Sequence, residues 1–130
     1  ETAGVDGDGA GRGPLVLIVD DSPECQYLWG RYLDKIKCRV ASAHCGADAL
    51  ELIRRERPAA IILDVMLPDV NGWHILRAIR RDRDTRDVPV VMCSALDERE
   101  FGFLLGADEY LCKPVTCRMF LSALARVGVF

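Results

Sequence analysis

Short apolar runs recur along this chain, and the most informative of them is Ala59-Ala-Ile-Ile-Leu63, which stops at Asp64 and then turns through Pro68-Asp-Val-Asn-Gly72. A run of Ala, Ile and Leu with no polar partner on either face predicts a strand buried on both sides, the habit of a parallel sheet covered by helices. Three further runs also end in polar residues: Leu15-Val-Leu-Ile-Val19 at Asp20-Asp21, Val88-Pro-Val-Val-Met-Cys93 at Ser94-Ala95, and Glu109-Tyr-Leu-Cys112 at Lys113-Pro114. Val40-Ala-Ser-Ala43 reads as a weaker strand.

Between these runs the apolar spacing changes to the helical period. Ser22-Pro23 predicts a capped start, with Cys25, Leu28, Trp29, Tyr32 and Ile36 as one inward stripe. Gly46-Ala47-Asp48 opens a second helix with Ala49, Leu50 and Ile53 inward, and Pro58 stops it. Trp73, Leu76 and Ile79 define a third helical face, followed by a charge run from Arg80 to Asp87 that reads as a solvated helix end and loop. Asp97 to Leu105 predicts a fourth helix capped by Gly106, with Phe101, Leu104 and Leu105 inward and Phe103 partly outward. The last helix starts near Thr116 and sets Cys117, Phe120, Leu121, Leu124 and Val127 inward.

Strand and helix thus alternate five times, which predicts an α/β fold: an open, doubly wound parallel sheet with helices on both faces. The chain of 130 residues, half of them apolar, has material for one domain. Residues 1–13 hold five of the eleven glycines and little apolar bulk, so they are expected to form a disordered tail, with the domain spanning 14–130. The formal charge of -3 gives no basic surface for nucleic acid or an anionic membrane. No run approaches a membrane span, and a cytoplasmic location is expected. Six cysteines contain no CxxC pair and sit mostly in apolar segments, so they read as small reduced hydrophobes. His44 beside Cys45 has no second pair to complete a zinc site.

In such sheets ligands bind beyond the carboxyl ends of the strands. Asp20, Asp21, Asp64, Ser94 and Lys113 all fall at those ends, so remote parts of the chain would bring three carboxylates, a hydroxyl and an ammonium into one cleft. Crowded carboxylates favour a hard divalent cation with oxygen ligands, Mg2+ in a shallow site with few ligands. Lysine and a hydroxyl beside it suit phosphoryl oxygens, and an aspartate can itself accept a phosphoryl group.

The pieces Val-Asp20-Asp21-Ser, Leu-Asp64-Val-Met-Leu-Pro68-Asp-Val-Asn-Gly72, Ser94-Ala95 and Gly106-Ala-Asp-Glu-Tyr110-Leu-Cys-Lys113-Pro114, in this order and spacing, resemble the receiver domain of two-component response regulators over residues 15–127. The resemblance implies a flavodoxin-like (βα)5 sandwich with strand order 2-1-3-4-5. It implies that Asp64 is the phosphoacceptor, attacking a phosphohistidine of a sensor histidine kinase or histidine phosphotransfer protein. Asp21, Asp64 and the backbone carbonyl of Met66 would hold Mg2+, with Asp20 helping. Lys113 would pair with Asp64 and then with the phosphoryl group, across a cis bond to Pro114. Ser94 would move to the phosphoryl group, and Tyr110 would turn inward with it as the switch aromatic.

Such a domain would be a signalling module, not a dedicated enzyme, acting on a downstream effector or output domain. The face of the fourth helix, fifth strand and fifth helix would serve as the contact for that partner or for a second copy, with Phe103 on it. A competing reading keeps the fold but not the phosphate: a receiver-like interaction module. Apolar Met66 and Leu96, two residues beyond Asp64 and Ser94, cannot orient a hydrolytic water, so slow self-dephosphorylation is expected.

Overall fold

The computed structural model describes residues 4–5 and 13–130. The elements run β1 (Gly4–Val5), β2 (Leu15–Val19), α1 (Pro23–Asp34), β3 (Arg39–Ala43), α2 (Gly46–Glu56), β4 (Ala60–Leu63), α3 (Gly72–Arg81), β5 (Val90–Ser94), α4 (Arg99–Leu105), β6 (Glu109–Cys112) and α5 (Cys117–Arg126). The sheet order is β1-β3-β2-β4-β5-β6. From β3 to β6 every neighbouring pair is parallel, so these five strands, counted among themselves, stand in the expected order 2-1-3-4-5. β1 adds an antiparallel edge that the apolar pattern did not include, pairing Gly4 with Ser42 and Val5 with Ala41. The rest of the tail expected over residues 1–13, apart from Gly13, lies outside the described residues.

The continuous apolar runs are explained by burial on both faces of the sheet. Leu15, Leu17, Val19, Ile61, Leu63, Val90 and Met92 point into one core, shared with Leu52, Ile53, Ile75, Leu76 and Ile79 from α2 and α3. Val16, Ile18, Ile62, Val91 and Cys93 point into the other, shared with Trp29 and Leu33 of α1 and Phe120 and Leu124 of α5. There Trp29 stacks on Phe120 with centroids 5.1 Å apart. A strand sandwiched in this way has no freedom to slip by one residue, since a slip would exchange its two core sets. The residue after each strand is therefore held in a fixed place.

Local signals place the helices. Ser22 Oγ accepts from Cys25 N–H with Pro23 at the first helical position, Asn71 Oδ1 accepts from His74 N–H, and Thr116 Oγ1 accepts from Met119 N–H. All six cysteines are free. Among the described residues no helix is long and apolar enough to cross a membrane.

Several inward stripes are corrected by the structure. On α1 Leu33 is buried and Leu28 is exposed, because the stripe is rotated toward Trp29 and Leu33 to meet Phe120. Leu52 takes a buried place on α2 while Leu50 is only partly buried, and Ile75 does so on α3. The largest departure is α4: Leu104 is 81% exposed and Phe101 is also exposed, while Gly102 faces the core. The reason is Tyr110, whose ring occupies the space; a Cβ on Gly102 would lie 2.9 Å from Tyr110 Cδ2. In the charge run after α3, Arg81, Arg83, Asp84, Arg86 and Asp87 are exposed as expected of a solvated end, but Arg80 is not. Arg80 donates to the carbonyls of Gly106, Arg86 and Val88 and to Asp108 Oδ2, binding the end of α3 to the C-cap of α4.

Candidate functional site

Asp20 follows β2, Asp64 follows β4, Ser94 ends β5 and Lys113 follows β6, so the register of the parallel sheet sets these side chains at one edge. Asp20, Asp21 and Asp64 offer carboxylate oxygens that all lie within 4.8 Å of one another. Asp20 and Asp64 are only 2% and 6% exposed, whereas Asp21 is open to solvent. Lys113 reaches across from β6, and its Nζ donates to Asp20 Oδ2 at 2.8 Å and to Asp64 Oδ2 at 3.2 Å. The peptide bond between Lys113 and Pro114 is cis.

Burial pushes the Asp64 carboxyl above the usual carboxylate range, and the neighbouring charge of Asp20 adds to this, while Lys113 pulls against both. Burial works against the charge of Lys113. The hydrogen bond to Asp20 and the charges of Asp20 and Asp64 outweigh it and hold the ammonium above the ordinary lysine value. Three clustered carboxylates, two of them bonded to one ammonium, remain short of positive charge. The donor set is all oxygen, and exposed Asp21 leaves room for water ligands, so the cluster fits a hard, oxygen-seeking metal ion.

The loop from Asp64 to α3 closes tightly. Met66 N–H donates to Asp64 Oδ1 at 3.3 Å, and Gly72 N–H donates to Val65 O at 2.6 Å. Gly72 is required there, since a Cβ would fall 2.1 Å from the backbone oxygen of Asp64. The Met66 side chain is 61% exposed beside the site.

Ser94 is fully buried, and its Oγ accepts from Leu96 N–H at 3.2 Å. Tyr110, expected to turn inward as Ser94 moves, already lies inward with Ser94 bonded to Leu96: its hydroxyl donates to Leu96 O and accepts from Glu98 N–H, and its ring lies by Trp73 and Gly102. Burial raises the Tyr110 pKa, which keeps the phenol a donor at neutral pH. The segment from Ser94 to Glu98 therefore joins the site edge to Tyr110.

All the side chains expected from the sequence thus have a definite place: Asp20, Asp21, Asp64 and Lys113 in one cluster, Ser94 on the adjoining segment, and Tyr110 on β6 bonded to that segment. Two supporting residues carried no sequence signal. Gln26 Nε2 lies within hydrogen-bond reach of the carbonyls of Ile18, Asp20 and Ala43, clamping the ends of β2 and β3 beneath the acidic pair. Asp69, given no role of its own within the 68–72 turn, accepts from the first N–H groups of α2. Both act on backbone groups of another segment, which no spacing rule reveals.

A carboxylate cluster at the carboxyl edge of a doubly wound sheet, spanned by a lysine from the last strand, is the layout of a receiver. The response regulator receiver domain model matches residues 16–125, and the chain belongs to that family, a signalling domain of two-component systems. Protein PilH of Pseudomonas aeruginosa is 33% identical over 115 residues, covering 86% of this chain and 95% of that protein. Transcriptional regulatory protein GltR of the same organism is 36% identical over 87% of this chain and 48% of its own length. The chain thus spans about half the length of several of the regulators it matches. Among solved structures, chemotaxis response regulator CheY4 of Vibrio cholerae superposes with a TM-score of 0.83 at 28% identity, covering 89% of this chain and 99% of that one.

Proposed function

We propose that this receiver takes a phosphoryl group on Asp64 from a phosphohistidine of a sensor histidine kinase or histidine phosphotransfer protein, with Mg2+ held by Asp21, Asp64 and the carbonyl of Met66 and assisted by Asp20. The observation that carries this reading is the position of Asp64: nearly buried at a strand end, inside a carboxylate cluster and in hydrogen-bond contact with Lys113. When bound, Mg2+ neutralises charge on the carboxylates and on the phosphoryl oxygens.

A carboxylate oxygen of Asp64 attacks phosphorus, the O–P bond forms as the P–N bond breaks, and the imidazole leaves with the bonding electron pair. Lys113, already charged, gives up its bond to Asp64 and meets a phosphoryl oxygen as a point charge. Ser94 Oγ, which in this structure accepts from Leu96 N–H, donates to another phosphoryl oxygen after rotating. That rotation alters the segment from Ser94 to Glu98, which Tyr110 grips, so a local charge event biases the face of α4, β6 and α5. Exposed Phe103 and Leu104 on that face would meet a downstream effector, an output domain or a second copy.

Intact mass after incubation with Mg2+ and a small phosphodonor tests the proposal. One phosphoryl adduct is expected, absent in Asp64→Asn and without Mg2+. No adduct, together with no spectral change at Tyr110 on adding a beryllium fluoride mimic, would assign the chain to the phosphate-independent interaction modules instead.

A further inference from the structure

Among the described residues, the 65–71 loop is hydrogen-bonded to another segment through Asp69. Asp69 Oδ1 accepts from Gly46 N–H at 2.8 Å and from Val70 N–H at 2.9 Å, and Asp69 Oδ2 accepts from Ala47 N–H at 3.0 Å. Gly46 and Ala47 are the first residues of α2, whose own N-cap, Cys45, supplies no side-chain acceptor. The orphan N–H groups at the positive end of α2 are thus satisfied by a carboxylate 22 and 23 residues away. These donors, Gly46 N–H foremost, hold the Asp69 carboxyl below the usual range, so it is ionised at neutral pH. The contact is fitted: a Cβ on Gly46 would lie 2.4 Å from Val70 Cγ2 and 3.0 Å from Ile75 Cδ1.

We infer that Asp69 is a positioning residue for the metal site, fixing the 65–71 loop against α2 and with it the Met66 carbonyl. The inference rests on the reading that the Asp64 cluster takes Mg2+. A carboxylate bonded to two successive N–H groups makes charge-assisted bonds, stronger than neutral ones. The loop's other hydrogen bonds, Gly72 N–H to Val65 O and Met66 N–H to Asp64 Oδ1, are internal to it; Val65 and Leu67 pack on the core that α2 shares, and Asp69 adds the directional tie to the backbone of α2 itself. Partners that orient metal ligands typically matter by about 10–100-fold in metal affinity.

The test is a calorimetric Mg2+ titration of the parent chain, Asp69→Ala, Asp69→Asn and Thr85→Val, each also melted without Mg2+. Thr85→Val removes a buried hydroxyl that donates to Ile79 O at 2.8 Å, in the stretch leading to the amino end of β5 and away from the site. Asp69→Ala is expected to weaken Mg2+ binding about tenfold or more. Asp69→Asn, which keeps one acceptor, falls between it and the parent, while Thr85→Val melts lower yet binds Mg2+ as the parent does. Parent-like affinity in Asp69→Ala, or an equal loss in Thr85→Val, overturns the inference alone. Should Asp69→Ala not fold, parent-like affinity in Asp69→Asn overturns it. A parent chain that gives no Mg2+ binding overturns the metal reading and this inference together.

Discussion

Lys113→Met removes the cation bonded to two nearly buried carboxylates while keeping most of the side-chain volume. In the folded chain Lys113 Nζ is 2.8 Å from Asp20 Oδ2 and 3.2 Å from Asp64 Oδ2. Breaking a buried pair by deleting one partner costs about 3–5 kcal/mol, because the remaining charge stays desolvated. The Lys113 side chain is itself 20% exposed, so some water relief is available and the lower end, about 3 kcal/mol, is expected. For a domain of this size that is a fall of about 10 °C in Tm. The loss should depend on pH. Asp64 already titrates above the usual range in the folded state, and deleting the ammonium raises it further. A carboxyl whose folded pKa exceeds its unfolded one favours folding below the unfolded value, and that advantage is lost as pH rises through the folded value. The deficit of Lys113→Met should therefore be smallest near pH 4 and largest at neutral pH. Asp20→Asn in the same background should recover much of it, since one carboxylate then no longer faces another. Urea unfolding across this pH range, without Mg2+, measures all three. A neutral-pH loss under about 1 kcal/mol, or one that grows toward acid, refutes the account of the site as a charge-deficient cluster held by one lysine.

The same electrostatics predict that Asp64→Asn is more stable than the parent at neutral pH without Mg2+, because ionised Asp64 works against folding. A lower urea midpoint for the variant refutes this. Met66 and Leu96 are exposed and apolar beside the site, so the phosphorylated chain should lose its phosphoryl group slowly, and Met66→Asn should shorten the lifetime. A lifetime of only seconds for the purified parent, followed by intact mass, contradicts it. Gly102→Ala should displace Tyr110 from its inward place, since the added Cβ would sit 2.9 Å and 3.2 Å from ring atoms. The overpacking cost of about 1–3 kcal/mol exceeds the roughly 1 kcal/mol gained in helix propensity, and Tyr110 resonances identical to the parent's would refute the displacement.

The site was legible in the sequence because of what a parallel sheet does to its strands. A strand buried on both faces is written as an unbroken apolar run, and the first polar residue after it must stand at the sheet edge, as Asp20 and Asp64 do. Ser94 is the polar residue that closes β5 and Lys113 the one that follows β6, so four edge positions could be read directly. The α4 face could not, because its contact with the core is made by Gly102, which carries no hydrophobic signal, against a tyrosine from another element. Nor could Arg80, hidden in a run of charges yet bonded to three carbonyls, or Asp69, whose partners are backbone groups. Periodicity records which side chains are apolar; it does not record which backbone groups lack a partner.

That difference bears on how the site works. Asp20, Asp21 and Asp64 bring a formal charge of -3 when ionised, and Lys113 returns +1, leaving -2 at the edge of the sheet. A monovalent cation would leave the cluster negative, and a divalent one brings it to neutrality, the condition in which an anionic phosphoryl group can approach. Residues one or two positions past the strand ends supply the carboxylates and the lysine, but the remaining ligand of the proposed site, the Met66 carbonyl, lies further along a loop. Side-chain identity fixes the charge of the site, whereas its geometry depends on contacts such as Gly72 against the Asp64 backbone and Asp69 on α2. Substitutions in the first group should change how many charges must be neutralised, and those in the second how well a cation is held once the charge is right.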